Sequence, residues 1–142
     1  LSGEVSVKRV LFDSDVLLDV LGKREPHFQA SVQALNTVKT GKTQGYISGH
    51  AVTNIYYILS RENGREVSRK LVISLLENLP VARVTDAIIR QALPSPMKDF
   101  EDAVTSAVAE SEKLEIIITR NLRDFAVSPV PAMLPADFLL TL

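Results

Sequence analysis

Four aspartates stand where their types and spacing could do chemistry. Asp13 follows Phe12 directly, at the end of the apolar run Val10-Leu11-Phe12. Asp99 and Asp102 are three residues apart, so on a helix they share one face. They fall near that helix's N-terminus, where unpaired amides favour negative charge. Asp124 lies five residues past Thr119, in the loop after Ile116-Ile117-Ile118. Four acids from three segments repel one another unless a cation sits between them. Mg²⁺ and Mn²⁺ suit such a set, because they take a few carboxylates and keep several waters. One or two such ions activate a water and neutralise the charge that develops in phosphoryl transfer, nucleic-acid hydrolysis included. A competing role stands beside this one: Asp99 is the best N-cap candidate of its helix, and capping competes with ligation.

Composition narrows the alternatives. The 142 residues contain no cysteine, which excludes disulfides, iron–sulfur clusters, thiolate zinc and a cysteine nucleophile. Two histidines, His27 and His50, are too few for a three-histidine metal site. Any metal must be held by oxygen. Sixteen Lys and Arg against seventeen Asp and Glu leave a net charge of −1, so a nucleic-acid partner would have to meet a local basic patch. No apolar run reaches the ~18 residues of a membrane span. Asp13, Asp15 and Asp19 interrupt the first apolar stretches, unlike a signal peptide. The expectation is a cytoplasmic protein with no membrane partner.

The elements that must position the acids alternate along the chain. Val5 to Phe12 reads as a strand, its later half buried on both faces. Ser14 or Asp15 then caps a helix from Val16 to about Leu21, closed by Gly22. Pro26 sits in the first turn of a second helix running to about Thr40, with the stripe Phe28, Val32, Leu35 and Val38, and Gly41 closes it. A short strand covers Tyr46 to Ser48, and a helix runs from about Ala51 to Arg61. Asn63-Gly64 is a turn. Val67, Leu71, Val72, Leu75, Leu76 and Leu79 mark a fourth helix, bounded by Pro80.

Val81 to Val84 reads as a strand, and Thr85 or Asp86 caps the helix that follows. After the rigid Pro94-Ser95-Pro96 loop, Asp99 opens a helix whose apolar face is Phe100, Ala103, Val104, Ala107 and Val108. Ile116 to Ile118 is the best buried strand. Leu122 to Phe125 reads as one helical turn, Val127 to Val130 as a final edge strand, and Pro135 to Leu140 as a short last helix. This alternation predicts an α/β fold, a three-layer α/β/α sandwich around a mostly parallel sheet of four to five strands. It predicts one domain over 5–142. Open sheets of this kind place their sites beyond the C-terminal ends of the strands.

The segments also resemble a known family. Val10-Leu11-Phe12-Asp13-Ser14-Asp15-Val16-Leu17-Leu18-Asp19, Asp99-Phe100-Glu101-Asp102-Ala103 and Ile118-Thr119-Arg120-Asn121-Leu122-Arg123-Asp124-Phe125 are similar, in order and spacing, to the PIN-domain ribonucleases, including VapC-type toxins. Tyr46-Ile47-Ser48 followed by Asn54-Ile55-Tyr56-Tyr57-Ile58 fits the subgroup that carries the Asp-Phe-Glu-Asp signature. The resemblance runs from about Arg9 to Leu140. It implies metal-dependent endonucleolytic cleavage of RNA with one or two Mg²⁺ or Mn²⁺ ions. It carries the family acids to Asp13, Asp102 and Asp124, with Asp99 beside them. Ser14 matches the small hydroxyl residue after the first acid, and Thr119 and Asn121 match residues that shape the pocket near Asp124. Asp15 falls where the family usually has Asn and adds a candidate ligand or a helix cap. Many relatives carry a glutamate where this chain has Asn54, a weaker, neutral ligand.

Arg120 and Arg123 flank Asp124 closely enough to be candidates for substrate phosphate contacts, as are Lys23 and Arg24. His50 reads as a packing residue before a helix, and His27 as a surface residue. Tyr56 and Tyr57 are adjacent, so at most one faces a base-stacking groove, and core packing is the plainer reading. A weakly active or inactive relative that acts through protein contacts is the competing class, as a homodimer or with an antitoxin-like partner. Leu17, Leu18, Leu21 and Phe28 could serve such an interface. A phosphate-receiver domain also clusters acids, but its acid pairing and late-loop lysine are not met here.

Overall fold

The computed structural model describes residues 7–142. Val5 and Ser6, the start of the predicted first strand, lie outside them. Strand β1 (Lys8–Phe12) ends in Val10, Leu11 and Phe12, all buried. Helix α1 (Ser14–Leu21) starts two residues before the predicted Val16, because Asp13 itself is its N-cap and accepts the Ser14 N–H at 2.8 Å. Neither Ser14 nor Asp15 caps it. Gly22 closes it, its N–H donating to Leu18 O at 2.8 Å.

Helix α2 (Phe28–Lys39) begins later than expected. Pro26 precedes it, after a cis Glu25–Pro26 bond, and His27 takes the N-cap position. Its buried face is Ser31, Ala34 and Thr37, whereas Phe28, Val32, Leu35 and Val38 are only half-buried. Leu35 and Val38 still pack against the core, with Ser31, Ala34 and Thr37 buried more deeply beside them. Gly41 ends it with a φ of 79°, a left-handed conformation that suits glycine.

Strand β2 (Thr43–Ser48) leads to α3 (Gly49–Asn63), and Gly64 separates that helix from α4 (Arg65–Leu76). The β3 strand covers only Val81–Ala82 of the predicted Val81 to Val84. Thr85 caps α5 (Asp86–Ala92) by accepting the Ile88 N–H at 3.2 Å. Asp99 caps α6 (Phe100–Ser111) by accepting the Asp102 N–H at 3.0 Å. Phe100, placed by its spacing on the apolar face, is 47% exposed. Strand β4 (Ile116–Ile118) is buried throughout.

Leu122 to Phe125 forms a series of tight turns, with Asp124 N–H on Asn121 O and Phe125 N–H on Leu122 O, and no α-helix. Val127 to Val130 is not a strand. The Ser128 hydroxyl turns the chain there by accepting the Val130 N–H and contacting Ser106 Oγ. The edge strand is β5 (Ala132–Met133), followed by α7 (Pro135–Leu139).

All four strand pairings are parallel, in the order β3-β2-β1-β4-β5. Alternation along the strands divides the core in two. Val10, Phe12, Ile116 and Ile118 pack with α1–α4 and Phe138 of α7. Leu11 and Ile117 pack on the other face with Ile88 of α5, the buried face of α6 and Phe125. The three-layer α/β sandwich is therefore present, with a wholly parallel five-stranded sheet. Gly45 of β2 marks a tight place: a Cβ there would stand 2.6 Å from Val38 Cγ2 and 2.8 Å from the Phe12 ring. The chain runs β1 to β3 on one side, then returns to place β4 on the other side of β1. The switch point of the sheet is the crevice beyond the C-terminal ends of β1 and β4.

Candidate active site

Asp13 stands at that switch point. Its N–H donates to Ile118 O at 2.9 Å, so the pairing of β1 and β4 continues up to the acid. Only 6% of the residue is exposed. Its Oδ1 accepts the Ser14 N–H at 2.8 Å, and its Oδ2 accepts the Thr119 hydroxyl at 2.8 Å. The Thr119 Oγ1 in turn accepts the Asn121 N–H at 3.0 Å. Asp15, one helical position pair further on, accepts the Arg120 N–H at 2.9 Å and the Val16 N–H at 2.7 Å. The loop after β4 is thus tied to both acids of the first segment.

The acids share one electrostatic field. Burial foremost, and then the charges of Asp15 and Asp102, push the Asp13 carboxyl up to about 7 against the opposing Thr119 and Ser14 hydrogen bonds. Burial likewise pushes Asp102 up to about 6, followed by the charges of Asp99, Asp124, Glu101 and Asp15. Asp15 is also raised, mainly by burial, against the pull of the Arg120 and Val16 amides. Asp102 therefore links the α6 terminus to the loop after β4 and to the end of β1. Among the described residues, no three acidic or imidazole groups close into a ready-made metal cage.

The other predicted residues divide. Asp99 and Asp124 line one cleft of about 250 Å³ together with Arg123, Lys98, Met97 and Val127. Asn121 is exposed in the same loop, Ser14 is half-buried beside Asp13, and Asn54 is half-buried on α3. Arg24 reaches Glu62 at 3.0 Å, away from the acids, and Lys23 is exposed beside it. Arg120 directs its side chain to Asp19, with Nε to Oδ2 at 2.6 Å. His50 joins α3 to α6: its Nε2 lies 3.3 Å from Glu101 O and 3.2 Å from Thr105 Oγ1, and burial lowers its pKa. Tyr56 and Tyr57 are not core residues. Tyr57 is 68% exposed, Tyr56 lies under the Arg69 guanidinium at 5.6 Å, and both line a groove of about 380 Å³ with Val52, Val72 and Ile73.

Two residues escaped the sequence reading. Lys98, beside Asp99, enters the cleft, and its only signal was that adjacency. Asp19 is wholly buried and ion-paired. Its signal was the apolar company of Val16-Leu17-Leu18 and Val20-Leu21, because a charge in such a run must find a partner once buried.

Comparison with known proteins gives the family and the fold. Ribonuclease VapC1 of Aquifex aeolicus is 27% identical over 118 residues, 80% of this chain and 82% of its own. A toxin–antitoxin complex from Klebsiella pneumoniae has a chain 25% identical, superposing with a TM-score of 0.68 over 89% of this chain and 97% of that one. VapBC2 from Rickettsia felis, solved bound to a fragment of promoter DNA, superposes with a TM-score of 0.69 at 13% identity, over 88% of this chain and 97% of that one. Among the described residues no helix is long and apolar enough to cross a membrane. The PIN domain family model matches residues 9–123, from the start of β1 to the turn before Asp124, and on that match the chain belongs to the PIN domain family.

Proposed function

We propose that this protein is a metal-dependent endoribonuclease that hydrolyses RNA phosphodiester bonds. The observation that carries this reading is the acid cluster at the switch point, where burial and then the neighbouring carboxylates hold Asp13 and Asp102 well above the usual aspartate range. The donor set suits a hard divalent ion: it is all oxygen, and its carboxylates raise one another's cost of ionisation. Asp13, Asp102 and Asp124 would hold one or two Mg²⁺ or Mn²⁺ ions, flanked by Asp99 and Asp15. When bound, such ions activate water and neutralise charge on the phosphate and the leaving oxygen.

The chain's own residues orient this arrangement. Thr119 and the Ser14 amide hold the two oxygens of Asp13 in place. Asp99 keeps one oxygen on the α6 cap, which fixes the first turn bearing Asp102. Lys98 and Arg123, on the cleft beside Asp99 and Asp124, take the substrate phosphates. His50 is committed to bridging α3 and α6, so no histidine base is involved.

Cleavage of RNA with and without Mn²⁺, by the parent, Asp13→Asn and Asp124→Asn, tests the proposal. Each variant is expected to lose about 10²–10³-fold in rate, the usual cost of removing one electrostatic element from a reacting centre. Parent-like cleavage by both would overturn it. The VapC relative and the toxin–antitoxin complexes extend the reading: this chain is the toxin of such a pair. A small DNA-binding protein encoded beside it is then expected to co-purify with it and inhibit cleavage. The second reading, an interaction module with weak or no cleavage, rests on the neutral Asn54. Mn²⁺ titration separates the two, since that reading expects no saturable binding.

A further inference from the structure

We propose that the Asp19–Arg120 ion pair, buried at its carboxylate, is a two-point clamp that positions the acids, which makes Arg120 a positioning residue and not a phosphate contact. The proposal rests on the reading of this crevice as the nuclease site. Asp15 and Asp19 are four residues apart on α1 and so occupy the same helix face. Both grip one residue across the crevice. Asp15 accepts the Arg120 backbone N–H at 2.9 Å, while Asp19 accepts its side chain through Nε at 2.6 Å and Nη2 at 3.3 Å. The forked contact fixes the plane of the guanidinium, which a lysine point charge would not do.

The clamp sets more than Arg120. With residue 120 held against α1, the preceding hydroxyl of Thr119 meets Asp13 at 2.8 Å and Asp15 at 3.4 Å, and the Asn121 amide closes onto Thr119. Three consecutive residues thereby orient both carboxyls of the first segment. Stability alone does not account for the pair. Asp19 has no exposed surface and the Arg120 side chain is 31% exposed, and an ion pair that desolvates its carboxylate is often no better for folding than a well-packed apolar pair of similar size. Its geometry is what an apolar pair would not reproduce. The guanidinium spends two of its three nitrogens on Asp19, so it is poorly placed to serve RNA.

The test replaces both partners at once, Asp19→Leu with Arg120→Met, and separately makes Arg120→Lys. Three readouts are compared with the parent: amide hydrogen exchange at Arg120, Mn²⁺ affinity, and kcat against KM on RNA. Both variants are expected to lose amide protection at Arg120 and to bind Mn²⁺ about 10–100-fold more weakly, the usual cost of removing a residue that orients metal ligands. A fall in kcat with KM unchanged completes the expected pattern. Retained amide protection and Mn²⁺ affinity, with a raised KM, would overturn the clamp and restore Arg120 as a phosphate contact. Should the double variant fail to fold, Arg120→Lys alone decides by the same readouts. If the parent cleaves no RNA, the nuclease reading fails, while exchange and Mn²⁺ binding still test the clamp.

Discussion

The two ends of β1 carry opposite charges and are treated differently. At its start, the backbone N–H of Arg9 and both terminal nitrogens of its guanidinium find partners. The Arg9 N–H donates to Glu115 Oε2 at 2.9 Å. Its guanidinium donates to Glu112 O at 2.8 Å and Lys113 O at 3.3 Å, just past the C-terminus of α6, and to the Tyr46 hydroxyl at 3.1 Å, lying 5.3 Å over that ring. A cation is favoured there, because helix C-termini expose unpaired carbonyls. The other end of the same strand meets the opposite end of the same helix. There Asp13, Asp99 and Asp102 gather beside Asp15 and Asp124, and burial first, then the neighbouring charges, drives Asp13 and Asp102 toward neutrality. Amide hydrogen bonds and the helix terminus offset only part of that repulsion. The satisfied end behaves as scaffold. The end left short of positive charge is the one poised to bind something.

That contrast can be broken from either side. The largest effect is expected at the acids. Both carboxyls are raised, so their contribution to stability is greatest below the ordinary aspartate value of 3.8. It declines as pH climbs, and the decline is complete above about 6 for Asp102 and about 7 for Asp13. In chelator, the melting temperature is therefore expected to drop by several degrees between pH 5 and pH 8 from these two groups. The groups facing them are Asp15, Asp99, Glu101 and Asp124 from α1, the α6 terminus and the loop after β4. An Asp13→Asn, Asp102→Asn variant should flatten that profile and melt above the parent at pH 8. Mn²⁺ should raise the melting temperature of the parent alone. A parent profile as flat as the variant's would remove the charge imbalance from the argument.

Next in size is the scaffold end. Arg9→Met should cost about 1–3 kcal/mol in urea unfolding, because charged hydrogen bonds to the carbonyls after α6 are lost. Cleavage at saturating RNA should be unchanged. A large loss of cleavage with the fold intact would mean that the two ends are coupled. The smallest effect belongs to Lys98, on the lip of the acid cleft. Lys98→Ala should leave the melting temperature alone and lower the slope of log KM against log salt by about one unit. An unchanged slope would place the RNA backbone elsewhere.

Much of the scaffold was legible from local pattern. Val10-Leu11-Phe12 and Ile116-Ile117-Ile118 are buried strands because apolar β-branched and aromatic runs bounded by turn residues have few other stable forms. The small stretches were harder. β5 is two residues long, and no periodicity can mark so short a strand. The face of α2 was legible only in part: Leu35 and Val38 do pack against the core, but Ser31, Ala34 and Thr37 are buried more deeply, because close packing selects for size as well as hydrophobicity.

By itself the sequence determined the kinds of chemistry available: oxygen ligands, no thiolate, no histidine cluster, and acids standing just after strands or at a helix start. Those features depend on residue type and on spacing over a few positions, which local geometry converts directly into place. Tertiary structure alone decided what converges. Thr119 meets Asp13 across 106 positions, and Arg120 meets Asp19 across 101. Such contacts follow from the register of β1 on β4 and from the return of the chain to the far side of β1. Parallel pairing couples segments through the backbone hydrogen bonds of distant strands, and the cost or gain of bringing two charges together exists only once those strands are aligned.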